Sequence, residues 1–273
     1  MTEQATPSQQ RGLVAEGLTA FARRVDEVAR EAGAAIMEVY GRADFEASAK
    51  TDGSPVTVAD LASDQVLLRG LRDLEPGAPV VSEEGDEAER TGERYWLVDP
   101  LDGTREFLSR NGEFCVCIAL IDGGRPVFGL IHAPTTRETY YAADTSGQAF
   151  RLRENDAAPE GLPVRRGISM ASAGLRVGVS RSHRDAATTA FLDGLDAPAP
   201  VPMGSALKFC AIAAGTLDVY IRQGPTMHWD TAAGQCLLEA VGLGVYRLDT
   251  REPMRYDTPT RKNPAFLAGP RPA

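Results

Sequence analysis

The chain is poor in the residues that build most redox and soft-metal sites. Its four cysteines, Cys115, Cys117, Cys210 and Cys236, form no C-x-x-C pair, and its three histidines join no cysteine at metal-ligand spacing. Zinc fingers and dithiol redox motifs are thereby excluded, and reduced, buried thiols are expected. No apolar run approaches the roughly 18 residues of a membrane span. The polar stretch Met1 to Arg11 lacks the charged-then-apolar layout of a secretory signal. The expectation is a cytoplasmic protein with a disordered tail over 1–12, with a peripheral place at the cytoplasmic face of the inner membrane left open. Positive charge is also scarce: 29 Lys plus Arg stand against 38 Asp plus Glu, a net charge of −9. Such a surface repels an extended polyanion, so nucleic acid is excluded as a broad partner. A small anionic substrate stays compatible, because bound cations reverse the field inside a single cleft. Internal repeats and low-complexity tracts are absent.

What is present suits a chain of one bilobed unit or two domains: 273 residues, 43% of them hydrophobic. Apolar residues at Leu18, Phe21, Val25, Val28, Ala32 and Ile36 recur at helical spacing, which predicts one amphipathic helix over about 13–40. Thr57 and Asp60 have the form of a capping box opening a helix over 58–74. Strands are expected at 79–82, 95–98, 114–121, 127–132 and 138–143, the third and fourth joined by the turn Asp122-Gly123-Gly124-Arg125. From Arg153 to Ala173 the periodicity fades, and the lobe junction is placed there, dividing 13–168 from 169–273. The second lobe alternates strand 175–180, helix 185–195, helix 205–214, strand 218–222 and helix 231–241, an α/β order.

Chemistry concentrates at element ends. The strand Tyr95-Trp96-Leu97-Val98 runs into Asp99-Pro100-Leu101-Asp102-Gly103-Thr104, and Pro100, unable to extend a ladder, predicts a turn with both carboxylates on one side. Glu83-Glu84 follows another strand, and Asp230 opens a helix. Oxygen donors without Cys or His suit a hard cation such as Mg²⁺. Taken singly, each acid is better read as a turn or capping residue.

Together, Val81-Ser82-Glu83-Glu84, Asp99-Pro100-Leu101-Asp102-Gly103-Thr104 and Trp229-Asp230-Thr231-Ala232-Ala233-Gly234 resemble the three signatures of the inositol monophosphatase superfamily, with similarity from about Leu18 to Phe266. The resemblance implies a layered α/β/α/β/α sandwich of two lobes, α/β (α+β) in class, with two or three Mg²⁺ in the cleft. It implies Glu83, Asp99, the Leu101 carbonyl, Asp102 and Asp230 as metal ligands. Asp60 and Thr104 match the pair that orients and deprotonates the attacking water. Lys50 lies in the matching segment before them, without a clear role. The chemistry is consistent with that site, since phosphate monoester hydrolysis mainly needs charge neutralised and a water aligned.

Ser180-Arg181-Ser182-His183, Gly204-Ser205-Ala206-Leu207-Lys208, Tyr220-Ile221-Arg222-Gln223-Gly224-Pro225-Thr226 and Arg110-Asn111-Gly112-Glu113-Phe114 resemble the 3′(2′),5′-bisphosphate nucleotidases of bacterial sulfur metabolism. That branch implies adenosine 3′,5′-bisphosphate as substrate, lithium sensitivity, and a monomer or homodimer. Its substrate contacts map onto His183, Ser205, Lys208 and Arg222, in addition to Glu83, Leu101, Asp102, Gly103, Thr104 and Asp230. Ser205 is expected to cap its helix and to share a face with Lys208. The chain departs from the nucleotidase pattern at Gln223 and at Met227-His228. Two alternatives stand beside this reading: an inositol-1-phosphate or sugar-bisphosphate phosphatase, and a non-catalytic nucleotide and metal sensor.

Overall fold

The computed structural model describes residues 7–42, 47–49, 55–85, 92–144, 146–181 and 186–272, with backbone alone for 7–19, 47–49 and 55. Lys50 and His183 lie outside the described residues. The first lobe opens with α1 (Pro7–Tyr40), a short antiparallel pair β1 (Ala47–Ala49) and β2 (Pro55–Thr57), and α2 (Val58–Leu74). On α1, Ala22, Val25, Ala29, Ala32, Ile36 and Val39 fall at helical spacing and all are buried. The helix starts at Pro7, so residues 7–12 are helical rather than a tail. Proline is at home in a first turn, where its missing N–H has no partner to lose, and the polar residues that follow do not stop a helix. The capping box of α2 forms as expected: the Thr57 N–H donates to Asp60 Oδ2 at 2.8 Å, and Thr57 Oγ1 accepts the Ala59 N–H at 3.1 Å.

Seven strands then form one sheet in chain order: β3 (Val80–Ser82), β4 (Arg94–Asp102), β5 (Cys115–Asp122), β6 (Arg125–Ala133), β7 (Glu138–Ala143), β8 (Ala149–Arg153) and β9 (Glu160–Gly161). All neighbours are antiparallel except the parallel pair β3 and β4. The short helix α3 (Thr104–Leu108) leaves the end of β4. In the second lobe β10 (Arg176–Ser180), β11 (Ala199–Met203), β12 (Val219–Arg222), β13 (Gly244–Arg247) and β14 (Phe266–Gly269) pair in the order β11-β10-β12-β14-β13. Its helices are α4 (Ala186–Asp193), α5 (Leu207–Ala214) and α6 (Ala232–Ala240).

Strand parity builds the layers. Along β4, Trp96 and Val98 face the core under α1 and α2, while Tyr95 and Leu97 face the opposite core, filled by Phe209, Ile212, Leu237 and Leu238 of α5 and α6. That central core also takes Tyr220, Val245 and Phe266 from the second sheet. The other face of the second sheet, with Val177, Val179, Val219 and Ile221, packs against Phe191 and Leu192 of α4. The result is the α/β/α/β/α sandwich that the resemblance implied, each fully buried Leu- or Ile-sized side chain contributing about 1.5–3 kcal/mol. Gly129 of β6 permits α6 to close on the sheet, since a Cβ there would meet the Ala233 carbonyl at 2.6 Å.

Candidate metal and phosphate site

The site begins at a defect in β4. Asp99 pairs with Cys117 and Asp102 with Cys115, so three steps on β4 oppose two on β5, and Pro100 sits in the resulting bulge. The strand therefore continues past Pro100 to Asp102 instead of turning at it. A bulge leaves a residue unpaired, and a proline there forfeits no ladder bond. The Ser63 hydroxyl pins the bulge by donating to the Pro100 carbonyl at 2.7 Å, and the Leu101 N–H donates to Asp99 Oδ1 at 3.0 Å. Gly103 then turns the chain with φ +98°, where a Cβ would crowd the Glu113 carbonyl at 3.0 Å and Ser205 Cβ at 3.1 Å.

This geometry gathers the acids. One oxygen each from Glu83, Asp99 and Asp230 lie within 4.8 Å of one another. Burial, then Glu83, Asp102 and Asp230 in turn, hold the Asp99 carboxyl well above the usual carboxylate range. Burial, Asp102 and Glu83 do the same to Asp230. Asp102 is pushed up to about 6 by burial, against the pull of Lys208 and the Ala206 N–H that it accepts. Carboxylates crowded so closely in a buried cleft cannot all ionise cheaply without a cation. The all-oxygen donor set fits a hard divalent ion and disfavours a thiophilic one.

The cleft holds about 260 Å³, and its walls bring together Glu83, Asp99, Leu101, Asp102, Gly103, Thr104, Ser205, Lys208, Arg222 and Asp230. Asp60 stands behind Thr104, whose hydroxyl donates to Asp60 Oδ1 at 3.2 Å, with the Leu101 carbonyl as an alternative acceptor at 3.4 Å. Every expected site residue except His183, which lies outside the described residues, thus belongs to one cleft or its immediate support. Glu84 is not among the lining residues.

Two expectations change. Ser205 does not cap α5: Ala206 occupies that position, and Ser205 adopts φ +50°, its Oγ accepting the Leu207 N–H at 3.3 Å. Lys208 is buried, with its Nζ donating to the Met203 and Ser205 carbonyls at 3.1 and 2.6 Å and lying 4.8 Å from the Tyr220 ring centroid. Burial pulls that amine down to about 8. Its ammonium holds the chain between β11 and α5.

Sequence reasoning missed two supports. Glu113 accepts the Gly204 N–H at 2.7 Å and both ends of the Arg181 guanidinium at 2.7 and 2.6 Å, tying the first lobe to the loop that carries Ser205. A charged residue just before a buried strand was the available signal. Asn263 holds the loop before Asp230: its Nδ2 donates one N–H to the Met227 carbonyl at 2.5 Å and the other to Thr226 Oγ1 and Thr231 Oγ1, both 3.1 Å away, as a shared bond. Nothing local in the sequence pointed to it. The departure at His228 is a packing one: its ring meets Tyr256 edge-on at 5.2 Å and bonds Thr258 Oγ1 at 3.2 Å.

The sequence model of the Inositol monophosphatase family matches residues 18–266. The chain belongs to the inositol monophosphatase family. It is 46% identical over 228 residues to the 3′(2′),5′-bisphosphate nucleotidase CysQ of Salmonella typhimurium, covering 82% of this chain and 89% of that one. To the protein of the same name from Escherichia coli strain K12 it is 44% identical over 250 residues, 89% and 97% of the two chains. The crystal structure of CysQ from Bacteroides thetaiotaomicron superposes with a TM-score of 0.79 at 33% identity, covering 93% and 98% of the chains. The family is metal-dependent, and the clustered carboxylates are where this chain can hold metal.

Proposed function

We propose that this chain is a Mg²⁺-dependent 3′(2′),5′-bisphosphate nucleotidase that hydrolyses adenosine 3′,5′-bisphosphate to AMP and phosphate. The observation that carries the reading is the placement of Thr104, bonded to Asp60 at 3.2 Å, in the same cleft as the Glu83, Asp99 and Asp230 carboxylates. Metal binding alone would not require a hydroxyl–carboxylate pair; proton removal from a water would. The names of relatives 44–46% identical to the chain support the nucleotide substrate.

In this reading Glu83, Asp99, Asp102, Asp230 and the Leu101 carbonyl hold two or three Mg²⁺ ions. When bound, the ions neutralise phosphate charge and acidify the attacking water. The Thr104 oxygen accepts a proton from that water while its own proton passes to Asp60 Oδ1, which the capping bonds from Thr57 keep oriented. Backbone N–H groups of Gly103 and Thr104 border the space for the phosphate oxygens. The first lobe, to about residue 168, supplies the ligands other than Asp230. The second lobe, from about 169, supplies Ser205 and Arg222 for the nucleotide, with Lys208 holding the backbone that carries Ser205 and His183 assigned to the nucleotide by resemblance. A cytoplasmic monomer or homodimer is the accompanying proposal. Among the described residues no helix is long and apolar enough to cross a membrane, and the described helices lend no support to a place at the inner-membrane face.

Metal dependence tests the reading. Activity should vanish in excess chelator, return with Mg²⁺, fall when the larger Ca²⁺ competes, and be inhibited by Li⁺ in the tens of millimolar range, an order-of-magnitude figure. Full turnover in chelator would refute it.

A further inference from the structure

Behind the carboxylate cluster lies a second group of donors with different chemistry. Cys115 and Cys117 are two apart on β5, so both side chains point to the same face of the sheet. Both are free and buried, and their sulfurs are 3.9 Å apart. Cys115 Sγ lies 3.9 Å from Asp102 Oδ2 and 3.6 Å from Ser205 Oγ. One donor atom each from Asp102, Cys115 and Cys117 lie within 4.8 Å of one another.

These separations can be compared with what a tetrahedral ion demands. With metal–sulfur bonds of about 2.3 Å and metal–oxygen bonds of about 2.0 Å, ideal angles put two sulfurs about 3.8 Å apart and a sulfur and an oxygen about 3.5 Å apart. The sulfur pair already meets that spacing within about 0.1 Å, and the two sulfur–oxygen pairs that Cys115 makes are within about 0.4 Å of it, with Cys117 and Asp102 inside 4.8 Å. Asp102 and Ser205 also line the cleft, and Cys115, itself buried outside that lining, touches both. Soft thiolates select zinc-like ions over magnesium, the reverse of the preference at Glu83, Asp99 and Asp230.

We propose that Asp102, Cys115 and Cys117, with the Ser205 hydroxyl as fourth donor, form a site for one thiophilic divalent cation of the Zn²⁺ or Cd²⁺ class, and that filling it inhibits the enzyme by withdrawing Asp102. The inhibitory consequence rests on the reading of Asp102 as a Mg²⁺ ligand; the site itself does not. Hard and soft cations thus compete for one shared carboxylate, and the enzyme slows when thiophilic metal is in excess.

Cadmium is the probe, because its bonds to thiolates give a near-ultraviolet charge-transfer band whose height counts sulfurs. Titrating the full chain with Cd²⁺ under saturating Mg²⁺ should give a two-thiolate band that saturates at one equivalent. Cys117→Ala should lower it to about half, the double Cys115→Ala/Cys117→Ala variant should lose it, and Cys210→Ala and Cys236→Ala should keep it. No band in the parent protein, or a full band in the double variant, overturns the site. If Cys115→Ala does not fold, Cys117→Ala alone decides, since an undiminished band there also overturns it. In the activity arm, the double variant should need at least tenfold more Cd²⁺ for half inhibition. Equal sensitivity would mean that Cd²⁺ acts only at the Mg²⁺ carboxylates and overturns the inhibitory role. Asp102→Asn should lose Mg²⁺-supported turnover; normal turnover there would overturn the reading of Asp102 as a catalytic ligand, and with it the inhibitory role, while the thiolate band decides the site.

Discussion

The Asp60 carboxylate faces two ways: Oδ1 accepts the Thr104 hydroxyl at 3.2 Å, while Oδ2 accepts the N–H and hydroxyl of Thr57 at 2.8 and 2.6 Å. One residue thereby caps α2 and stands ready to take a proton. Thr104→Ala should leave Mg²⁺ affinity in place and lower kcat by about 10²- to 10⁴-fold, the usual worth of general base catalysis. Thr104→Ser should recover much of the loss. Asp60→Asn should lower kcat similarly and in addition cost about 1 kcal/mol of stability through the weakened cap. Pre-steady-state kinetics with calorimetric Mg²⁺ titration separates these effects, and a normal kcat for Thr104→Ala removes that residue from the reaction.

Asp99 tests the conflict between stability and function. Its carboxyl is raised by burial and by three neighbouring acids. For an acid raised in the folded state, folding stability is lost as pH climbs through the range where that carboxyl ionises, so at pH 7 without metal Asp99 opposes folding. Asp99→Asn should therefore abolish turnover yet melt higher in chelator, by about 2–4 °C for each 1 kcal/mol relieved. Mg²⁺ should raise the melting temperature of the parent protein but hardly that of the variant. Glu84→Gln should be mild in both respects. Equal losses of turnover in the two variants would show that the wrong acid had been chosen.

Lys208 and Arg222 should behave differently from each other. Arg222 lines the cleft with its Nη2 3.4 Å from the Pro225 carbonyl. Arg222→Ala should lower kcat/KM for adenosine 3′,5′-bisphosphate by about 1.5–3 kcal/mol and leave inositol 1-phosphate nearly unchanged. Lys208 holds the Met203 and Ser205 carbonyls, next to the Ala206 N–H that bonds Asp102. Lys208→Ala should accordingly depress both substrates. A parallel fall in Arg222→Ala would remove it from specificity.

His132 supplies a pH signature away from the cleft. Thr139 donates its hydroxyl proton to Asp26 at 2.5 Å, so it can only accept from His132 Nδ1–H at 2.9 Å, which fixes the neutral tautomer. Burial lowers the imidazole to about 4 from 6.5. The unfolded chain then binds the extra proton between about pH 6.5 and 4, so this group's contribution to stability is lost as pH falls through that window, by about 3 kcal/mol in all. Denaturant titrations of the parent protein and His132→Gln should diverge below pH 6.5, the difference cancelling the titration of the cleft carboxylates. Identical pH slopes would contradict this.

Much of this was legible in the residues. Helical spacing gave α1 its buried face, and Thr57 with Asp60 gave α2 its start. The three acidic signatures gave the cleft, because each sits where a strand or loop ends and a short motif fixes its geometry. What stayed hidden depends on long-range pairing. The edge strand β11, which contains Pro200 and Pro202, has no counterpart among the elements expected from the sequence, because prolines join a strand only where a neighbour supplies one row of hydrogen bonds. Ser205 looked like a cap, but the bonds from Gly204 to Glu113 and from Ala206 to Asp102 place it at φ +50°. The bulge at Pro100 exists only against β5. Cys115 and Cys117 seemed two ordinary buried thiols, and only the fold puts Asp102 beside them.

The substrate itself is the most direct test. Phosphate release should be measured side by side on adenosine 3′,5′-bisphosphate, inositol 1-phosphate and fructose 1,6-bisphosphate at saturating Mg²⁺, with the nucleotide product identified. The account predicts the highest kcat/KM for adenosine 3′,5′-bisphosphate, by at least tenfold (about 1.4 kcal/mol), with 5′-AMP as product. Preference for inositol 1-phosphate or fructose 1,6-bisphosphate would contradict it.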